Sequence, residues 1–256
     1  MSFTIQYLEY ILLVFIRVTA IVVVAPFFGS NDYPRRIKGA IAFFFTLIVM
    51  QRIDYTAVEY GTIFGYATLV LKEAITGILI GLGSRLCLYI LNFSGHMVDM
   101  EIGFAMVQEM DPTTQVHSTV TSNFFSYVFM LFFIVSDMHY FVIDALFDSY
   151  ELIPMGGAKF TMDLYSIMVT YAVSYFVIGF RIILPIFCCI LVINIVLGIL
   201  ARIAPQMNMF VVGMQLKVFV GLFLVFISLQ MFAGAADFIF EEMHTLTKYF
   251  VQSMAP

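Results

Sequence analysis

Long apolar stretches separated by short polar breaks make up most of this chain. The apolar stretches run at roughly 5–30, 39–51, 60–93, 124–147, 164–201 and 218–236. A helix needs about 20 apolar residues to span a bilayer, so the second stretch is too short for a simple span. The third and fifth are long enough to be helical hairpins or strongly tilted helices. The pattern predicts a helical integral membrane protein whose spans cannot be counted from the stretches alone.

Polar segments separate these apolar stretches, and several of them contain Pro or Gly, which end helices. They lie at Asn31–Lys38, Arg52–Glu59, Asp99–Ser122, Asp148–Asp163 and Arg202–Lys217. None of them is a low-complexity linker, and no internal repeat is visible. We therefore predict a single domain over residues 1–256.

The composition agrees with a lipid environment. Hydrophobic residues make up 62% and charged residues 11% of the chain, and the mean hydropathy is +1.00, all far from the usage of soluble globular proteins. The net charge of -5 provides no basic surface for nucleic acid. The three cysteines, Cys87, Cys188 and Cys189, form no disulfide framework or CxxC motif, and we interpret them as buried apolar residues.

The basic residues suggest an orientation, because Lys and Arg favour cytoplasmic loops. Arg35, Arg36 and Lys38 mark one loop, whereas Arg202 and Lys217 mark another. Four apolar stretches lie between these loops. If each stretch crosses once, both loops face the cytoplasm and the N-terminus lies outside.

Several ionisable residues interrupt the apolar stretches and need partners or water at membrane depth. Lys72, Glu73 and Arg85 are the main candidates for buried charge, with Glu101 further on. They could form an ion or proton relay of a transporter. Polar contacts to other subunits, or a position beside a water-filled lumen, fit better, because a relay shows several carboxylates facing one another along the spans. Arg17 and Arg181 are interpreted in the same way.

Two glycine pairs have the GxxxG spacing that lets helix backbones approach closely. They are Gly61 with Gly65 and Gly77 with Gly81. The spacing indicates helix packing without deciding whether the partner is this chain or another subunit.

No catalytic constellation is visible. The histidines His96, His117, His139 and His244 form no HExxH motif or i, i+4 pair. No Ser-His-Asp grouping, P-loop or GxGxxG motif occurs either. We therefore expect no enzymatic activity, no metal site and no cofactor.

The segment from Gly95 to Phe125 is far more polar than its neighbours. Asp111-Pro112 disfavours a continued helix, which predicts a loop between two apolar elements. Met106 and Met110 supply soft side chains that can close around irregular shapes, although Met at helical spacing is more often plain core.

Motifs in three regions together resemble the FliR family of type III export-gate proteins, which includes virulence-type counterparts. The likeness covers almost the whole chain. The sequence departs at Met214 and Gln215, where the family usually has Phe-Pro. The matching residues are Arg17, Ala25-Pro26-Phe27-Phe28-Gly29, Pro34 and Lys38; Gly103-Phe104-Ala105, Asp111-Pro112, Phe132-Phe133, Asp137 and His139; and Leu184-Pro185-Ile186, Asn194, Leu197-Gly198, Ala201-Arg202, Pro205-Gln206-Met207-Asn208, Phe210, Gly213, Lys217 and Gly221-Leu222.

The resemblance implies an all-α fold of helical hairpins, with one copy in a closed helical ring beside several copies of FliP-like and FliQ-like subunits. Residues of about 1–181 would form a FliP-like part, and residues of about 182–256 a FliQ-like hairpin and tail. The ring would be a conduit for unfolded export substrates in the bacterial cytoplasmic membrane, at the flagellar basal body.

The resemblance also implies roles for two segments. The segment from about Met106 to Ser118 would be a lumenal plug that substrate displaces, with Phe104, Met106, Met110, Asp111 and Pro112 as its gating residues. The polar turn would face the cytoplasm and contact a FlhB-type switch protein; its residues are Arg202, Pro205, Gln206, Asn208 and Lys217.

Three other functions remain open at this point. The chain could be the equivalent subunit of a virulence injectisome, because both systems share these motifs. It could be an assembly scaffold without a gating role. A stand-alone secondary transporter built around Lys72, Glu73, Arg85 and Glu101 would show inverted repeats and would work without partners.

Overall fold

The computed structural model of the chain describes residues 5–30, 33–53, 55, 58, 60–104, 109–110, 117–206 and 208–256. Within these ranges the chain forms helices and one pair of two-residue strands, in which β1 (Glu109–Met110) runs antiparallel to β2 (His117–Ser118). The predicted all-α fold class is confirmed. The helices are α1 (Ile5–Val24), α2 (Arg35–Arg52), α3 (Ile63–Ile102), α4 (Val120–Val135), α5 (Met138–Leu152), α6 (Met162–Ile203) and α7 (Met209–Met254).

The chain divides into two compact units, of which the first comprises Met1–Cys87, Ile134–Ala172 and Phe240–Pro256. Its helix α1 buries one face because apolar residues recur every three or four positions. Helices α3 and α5 lie against it: Gly77 of α3 approaches the backbone of Arg17, and the hydroxyl of Tyr150 in α5 donates to the carbonyl oxygen of Val14 at 3.1 Å. The core residues include Tyr10, Leu13, Val14, Val18, Ile21, Leu146, Tyr150, Met243, Leu246 and Phe250.

The second unit comprises Leu88–Phe133 and Val173–Ile239, and aromatic rings fill its core. Phe125, Phe129 and Phe133 lie one helical turn apart on α4 and are buried. The ring centroids of Phe125 and Phe232 are 5.4 Å apart. Those of Phe93 and Phe180 are 5.6 Å apart in an edge arrangement, which aromatic pairs favour.

Three of the predicted apolar stretches form helices that differ from the prediction. Helices α3 and α6 are single continuous helices of 40 and 42 residues, so the hairpin interpretation of these stretches is wrong. The stretch at 124–147 is broken at residues 136–137 into α4 and α5, which are bent by 70°. Asp137 has a φ of 57° there, a left-handed conformation that Asp tolerates and that ends α4.

Four helical segments in the described ranges are long and apolar enough to cross a membrane, or five if α4 and α5 together form one broken span. The four are Ile5–Val24, Ile63–Ile102, Met162–Ile203 and Val211–Gln230. Helix α2 is not among them, because it carries Arg35, Arg36, Lys38 and Arg52 within 18 residues. Between the two basic loops lie two of these segments, Ile63–Ile102 and Met162–Ile203, or three if α4 and α5 form one span, instead of the four crossings assumed, and the orientation stays a prediction.

Candidate functional site

One pair of the charged residues in the apolar helices is wholly buried. Arg17 of α1 and Glu73 of α3 have 0% exposed side chains, and Arg17 Nε lies 2.5 Å from Glu73 Oε2. Arg17 Nη1 donates to the carbonyl oxygens of Ser149 and Ile153, both at 3.0 Å. The guanidinium carbon lies 4.4 Å from the ring centroid of Tyr150, which is a cation–π contact. Arg17 thereby connects α1 with α3 and with the end of α5.

The neighbouring charges bind backbone groups of the same unit. Glu73 Oε1 accepts the backbone N–H of Gly156 at 2.7 Å, and Lys72 Nζ donates to the carbonyl oxygen of Gly156 at 3.3 Å. Arg85 Nη1 donates to the carbonyl oxygen of Val24 at 3.4 Å. Lys72, Glu73 and Arg85 therefore have partners within this chain, and the loop after α5 is fastened to α3.

The glycine pairs predicted to pack helices differ in their surroundings. A Cβ at Gly77 would lie 2.5 Å from the carbonyl oxygen of Arg17, and one at Gly81 would lie 2.9 Å from a side chain of α1. A Cβ at Gly61 would meet nothing within 4 Å, and one at Gly65 would make ordinary contacts, the nearest at 3.5 Å. The close approach of backbones thus joins α3 to α1 at Gly77 and Gly81.

A polar junction between α3 and α4 lies at the base of the predicted plug segment. The buried carboxylate of Asp99 accepts the backbone N–H of Thr121 at 2.8 Å and its hydroxyl at 2.5 Å. Asn92 Oδ1 accepts the hydroxyls of Ser122 at 3.0 Å and Ser126 at 2.7 Å. A carboxylate at the first turn of α4 satisfies an N–H that has no partner within the helix. Sequence reasoning missed this junction, although Asp99 comes soon after the apolar stretch at 60–93 and the polar side chains recur at helical spacing.

The predicted gating residues are only partly described. Phe104 is half-buried after the end of α3, where Gly103 has a φ of 96°. Met110 lies in β1, with its backbone opposite His117. Met106, Asp111 and Pro112 lie outside the described residues.

The predicted cytoplasmic turn is shorter than the polar break that marks it. Helix α6 ends at Ile203 and α7 begins at Met209, and the turn side chains of Pro205, Gln206 and Asn208 are exposed, as is Arg202 at the end of α6. The carbonyl oxygen of Asn208 accepts the backbone N–H groups of Val211 and Val212, each at 3.1 Å. Lys217 is half-buried two turns into α7, so it lies on the helix and not in the turn.

The two helices that flank this turn are the least covered spans. In the most apolar window of α6 only 22% of residues are buried, and for Val211–Gln230 the share is 17%, compared with 39% for α1 and 50% for α3. Phe219 and Phe226 are exposed by 75% and 69%. This apolar surface requires lipid or other subunits as its surroundings.

Two titratable groups outside the spans have shifted pKa values. The hydrogen bond from Tyr60 to Glu9 Oε1, at 2.6 Å, raises the pKa of Tyr60. Partial burial lowers the pKa of His244, whose ring centroid lies 3.7 Å from that of Phe141. Among the described residues no three His, Cys, Asp or Glu side chains group so as to hold a metal ion.

The comparisons with known proteins agree with the geometry of a multi-pass membrane protein. The flagellar biosynthetic protein FliR of Aquifex aeolicus is 28% identical over 249 residues, which cover 97% of this chain and 96% of the relative. That of Bacillus subtilis is 28% identical over 86% of this chain and 85% of its own length. That of Escherichia coli is 24% identical over 94% of this chain and 93% of its own length.

The family profile settles the assignment that the resemblance suggested. The family described as "Bacterial export proteins, family 1" matches residues 8–243, which include the buried pair, the polar junction and the turn between α6 and α7. The chain therefore belongs to the bacterial export protein family 1 and is a membrane component of a flagellar export system.

Proposed function

We propose that this chain is the FliR-type subunit of a flagellar export gate in the cytoplasmic membrane, where it forms a channel for unfolded substrates with FliP-like and FliQ-like subunits. The observation that carries the proposal is the apolar surface of α6 and α7, because only 22% and 17% of the residues in their most apolar stretches are buried within the chain. A subunit of a helical ring needs such surfaces on its sides. The turn between these helices would meet a FlhB-type switch protein.

The segment at 106–118 is the proposed plug of this channel. Polar, Pro-containing backbone is tolerated at membrane depth only where protein buries it or water surrounds it, and a water-filled lumen meets that condition. The Asp99–Thr121 contact supports the proposal because it joins the two helices, α3 and α4, that lead into and out of the segment.

The flagellar function is favoured over the other functions considered. The relatives compared above are flagellar proteins, which favours a flagellum over an injectisome. Glu73 is neutralised by Arg17 and anchors a loop, which supports a structural role for this charge over a proton relay. A role without enzymatic chemistry or cofactor is part of the same proposal.

The experiment that tests the proposal is purification of the chain with and without the FliP-like and FliQ-like subunits. The exposed apolar surface predicts that the chain alone aggregates or has a low Tm in detergent, and that the partners raise its Tm and yield a monodisperse complex. A stable, monodisperse monomer that gains nothing from the partners would contradict the proposal.

A further inference from the structure

A cavity of about 560 Å³ lies between α6 and α7 in the second unit. Its lining runs from Ile178 to Cys189 on α6 and from Leu224 to Phe238 on α7, and Phe125 of α4 contributes to its wall. The lining residues of α6 recur at a spacing of three or four, so they form one face of that helix. The space between these two helix faces is therefore left unfilled by the described side chains.

Small side chains explain why α6 and α7 leave this space. Ser228 and Gly234 line its α7 side. A Cβ at Gly234 would meet nothing within 4 Å, whereas one at Gly221, elsewhere on α7, would lie 2.5 Å from Ile102. Gly234 is also exposed, so the cavity is open to the surroundings of the helices. Because atoms that face an empty gap lose dispersion contacts, a molecule from those surroundings is expected to fill it.

Among the described residues that line the cavity, Arg181 alone is charged. Its side chain is exposed and has no hydrogen-bond or ion-pair partner in the part of the chain that the structure describes. A charge within an apolar helix needs a partner or water. The described residues supply no counter-charge for Arg181, which points to an anion from the surroundings.

The position of Arg181 along α6 corresponds to the headgroup level of a bilayer. Residues 182–201 contain no charged residue and extend for about 30 Å as a helix, which matches the hydrocarbon core. Arg181 and Arg202 flank this stretch. From Arg181 to Cys189 the cavity extends about 12 Å into the core, which is most of the depth of one leaflet, about 15 Å.

We propose that the cavity binds one anionic phospholipid, with its phosphate at the Arg181 guanidinium and one acyl chain along α6 toward Cys189. A guanidinium binds phosphate oxygens through paired N–H donors, and the apolar walls accept a hydrocarbon chain. A charge followed by about 12 Å of apolar wall repeats the order of groups in a phospholipid. The inference goes beyond the proposed function, because it needs only that the chain lies in a bilayer.

Other occupants match the cavity less well. Water needs about two to four polar partners, and the hydroxyl of Ser228 already donates to the carbonyl oxygen of Val225 at 2.7 Å. A zwitterionic headgroup brings its own cation close to Arg181, so the unpaired charge favours a lipid with net negative charge. Selectivity comes from this charge, because an acyl chain gains little by moving from one apolar environment to another.

The test uses the chain isolated with its FliP-like and FliQ-like subunits and reconstituted in phosphatidylethanolamine vesicles. The vesicles contain a small fraction of phosphatidylglycerol that carries a photoreactive group in the middle of one acyl chain. After irradiation, mass spectrometry locates the adducts. We expect them in the peptides that cover 178–189 and 224–238, and few in the peptide that covers 211–223, although Phe219 is exposed by 75% there. A chain that does not associate with these subunits is reconstituted alone, so failure of the proposed function leaves this test intact.

Two variants test the two parts of the site. Arg181→Gln should lower the adduct yield about fivefold, the ratio expected for the interaction of one basic residue with an anionic headgroup. Arg202→Gln makes the same charge change at the other end of the apolar stretch and should leave the yield unchanged. Gly234→Leu fills the cavity with a residue that favours a helix, and it should lower the yield at least as much. Ala233→Leu, on another side of α7, is its matched control.

Four outcomes would overturn the inference. The first is an even distribution of adducts over the exposed apolar surface, and the second is an equal yield from a photoreactive phosphatidylethanolamine. The third is a yield that neither Arg181→Gln nor Gly234→Leu lowers. The fourth is the absence of adducts from the cavity peptides of the wild-type complex, which would show that a neighbouring subunit fills the space. If Gly234→Leu does not assemble, the comparison of Arg181→Gln with Arg202→Gln decides.

Discussion

At the scale of single residues, the buried pair of Arg17 and Glu73 determines how the apolar helices of the first unit are held. Neither charge is exposed, and each is expensive to bury without the other. Arg17 has hydrogen bonds from two of its guanidinium nitrogens, whereas Nη2 is buried without a hydrogen-bond partner among the described residues. Removal of either residue would therefore leave the other as an uncompensated buried charge.

We expect Glu73→Gln to destabilise the subunit by about 3–5 kcal/mol, because it leaves Arg17 as an uncompensated buried charge. The measurement is the Tm of the purified complex, compared with that of Lys72→Gln. Lys72 is half-buried and donates one long hydrogen bond, so its loss should cost much less.

A double variant provides the control for this prediction. Arg17→Met combined with Glu73→Met removes both charges and should recover much of the lost Tm, because apolar replacement of a buried pair is often close to neutral. Equal losses of Tm in Glu73→Gln and Lys72→Gln would contradict the assignment of Glu73 to the buried pair.

At the scale of elements, the polar junction between α3 and α4 controls where α4 begins. Asp99 accepts both the N–H and the hydroxyl of Thr121, so it caps α4 from a neighbouring helix. Without this carboxylate, the first turn of α4 would hold an unsatisfied N–H in a buried position.

We expect Asp99→Ala to destabilise the start of α4 by about 1–3 kcal/mol, the cost of a buried donor without a partner. Hydrogen exchange should quicken in the peptide that covers 119–126, with little change in α5. Thr121→Ala, which removes the hydroxyl and keeps the N–H bonded, should have a smaller effect. If both variants exchange like wild type, Asp99 does not cap α4.

The start of α7, next to the turn between α6 and α7, gives a second element-scale prediction. Lys217→Gln should reduce export while the ring still assembles, because it removes a half-buried positive charge on α7 that cytoplasmic partners would contact. Gln215→Glu changes the net charge by the same amount on a different side of α7 and is the matched control for an export assay. Failure of the Lys217→Gln ring to form would show that Lys217 is structural.

The apolar pattern predicted the helical elements well where composition alone decides them. Helices α1 and α6 coincide closely in extent with long apolar stretches, because lipid and protein interiors both favour such residues, and α3 covers its stretch and nine further residues. The pattern could not show how the charge of Glu73 is neutralised inside α3, since its partner Arg17 is 56 residues away in the sequence. The break at Asp137 was equally hidden, because it depends on one backbone conformation inside an apolar run.

The candidate site was predicted unevenly for the same reason. Motifs of residues that are close in the sequence can be found without a structure. Gly77 and Gly81 are such a motif, and they lie where α3 packs against α1. The turn after Arg202 is another, and it lies at the end of α6. The Asp99–Thr121 contact joins two helices across the plug segment, so its two halves look unrelated in the sequence. Long-range pairing of polar groups is therefore what the structure adds.

At the scale of the whole molecule, the proposed channel must conduct an unfolded chain and yet remain closed to ions when idle. A soft segment held at both ends satisfies both needs, because it can move aside without unfolding the helices that carry it. Phe104 lies next to α3 at one end, and the α4 cap at Thr121 lies at the other.

Shortening the segment between Met106 and Ser118 should therefore open a leak while assembly of the ring is retained. The measurement is ion or small-solute flux through assembled rings in vesicles, with intact and shortened segments compared at equal amounts of complex.

Asp99→Ala with a full-length segment is the matched control: it loosens the base of the segment without removing residues, so its flux should lie below that of the deletion. If the segment is instead a buried connection between helices, the deletion will lower the yield of complex and no conducting ring will be recovered. Assembled rings that carry the deletion and show no flux of ions or small solutes would refute the plug assignment, because the proposal has no other element that seals the lumen.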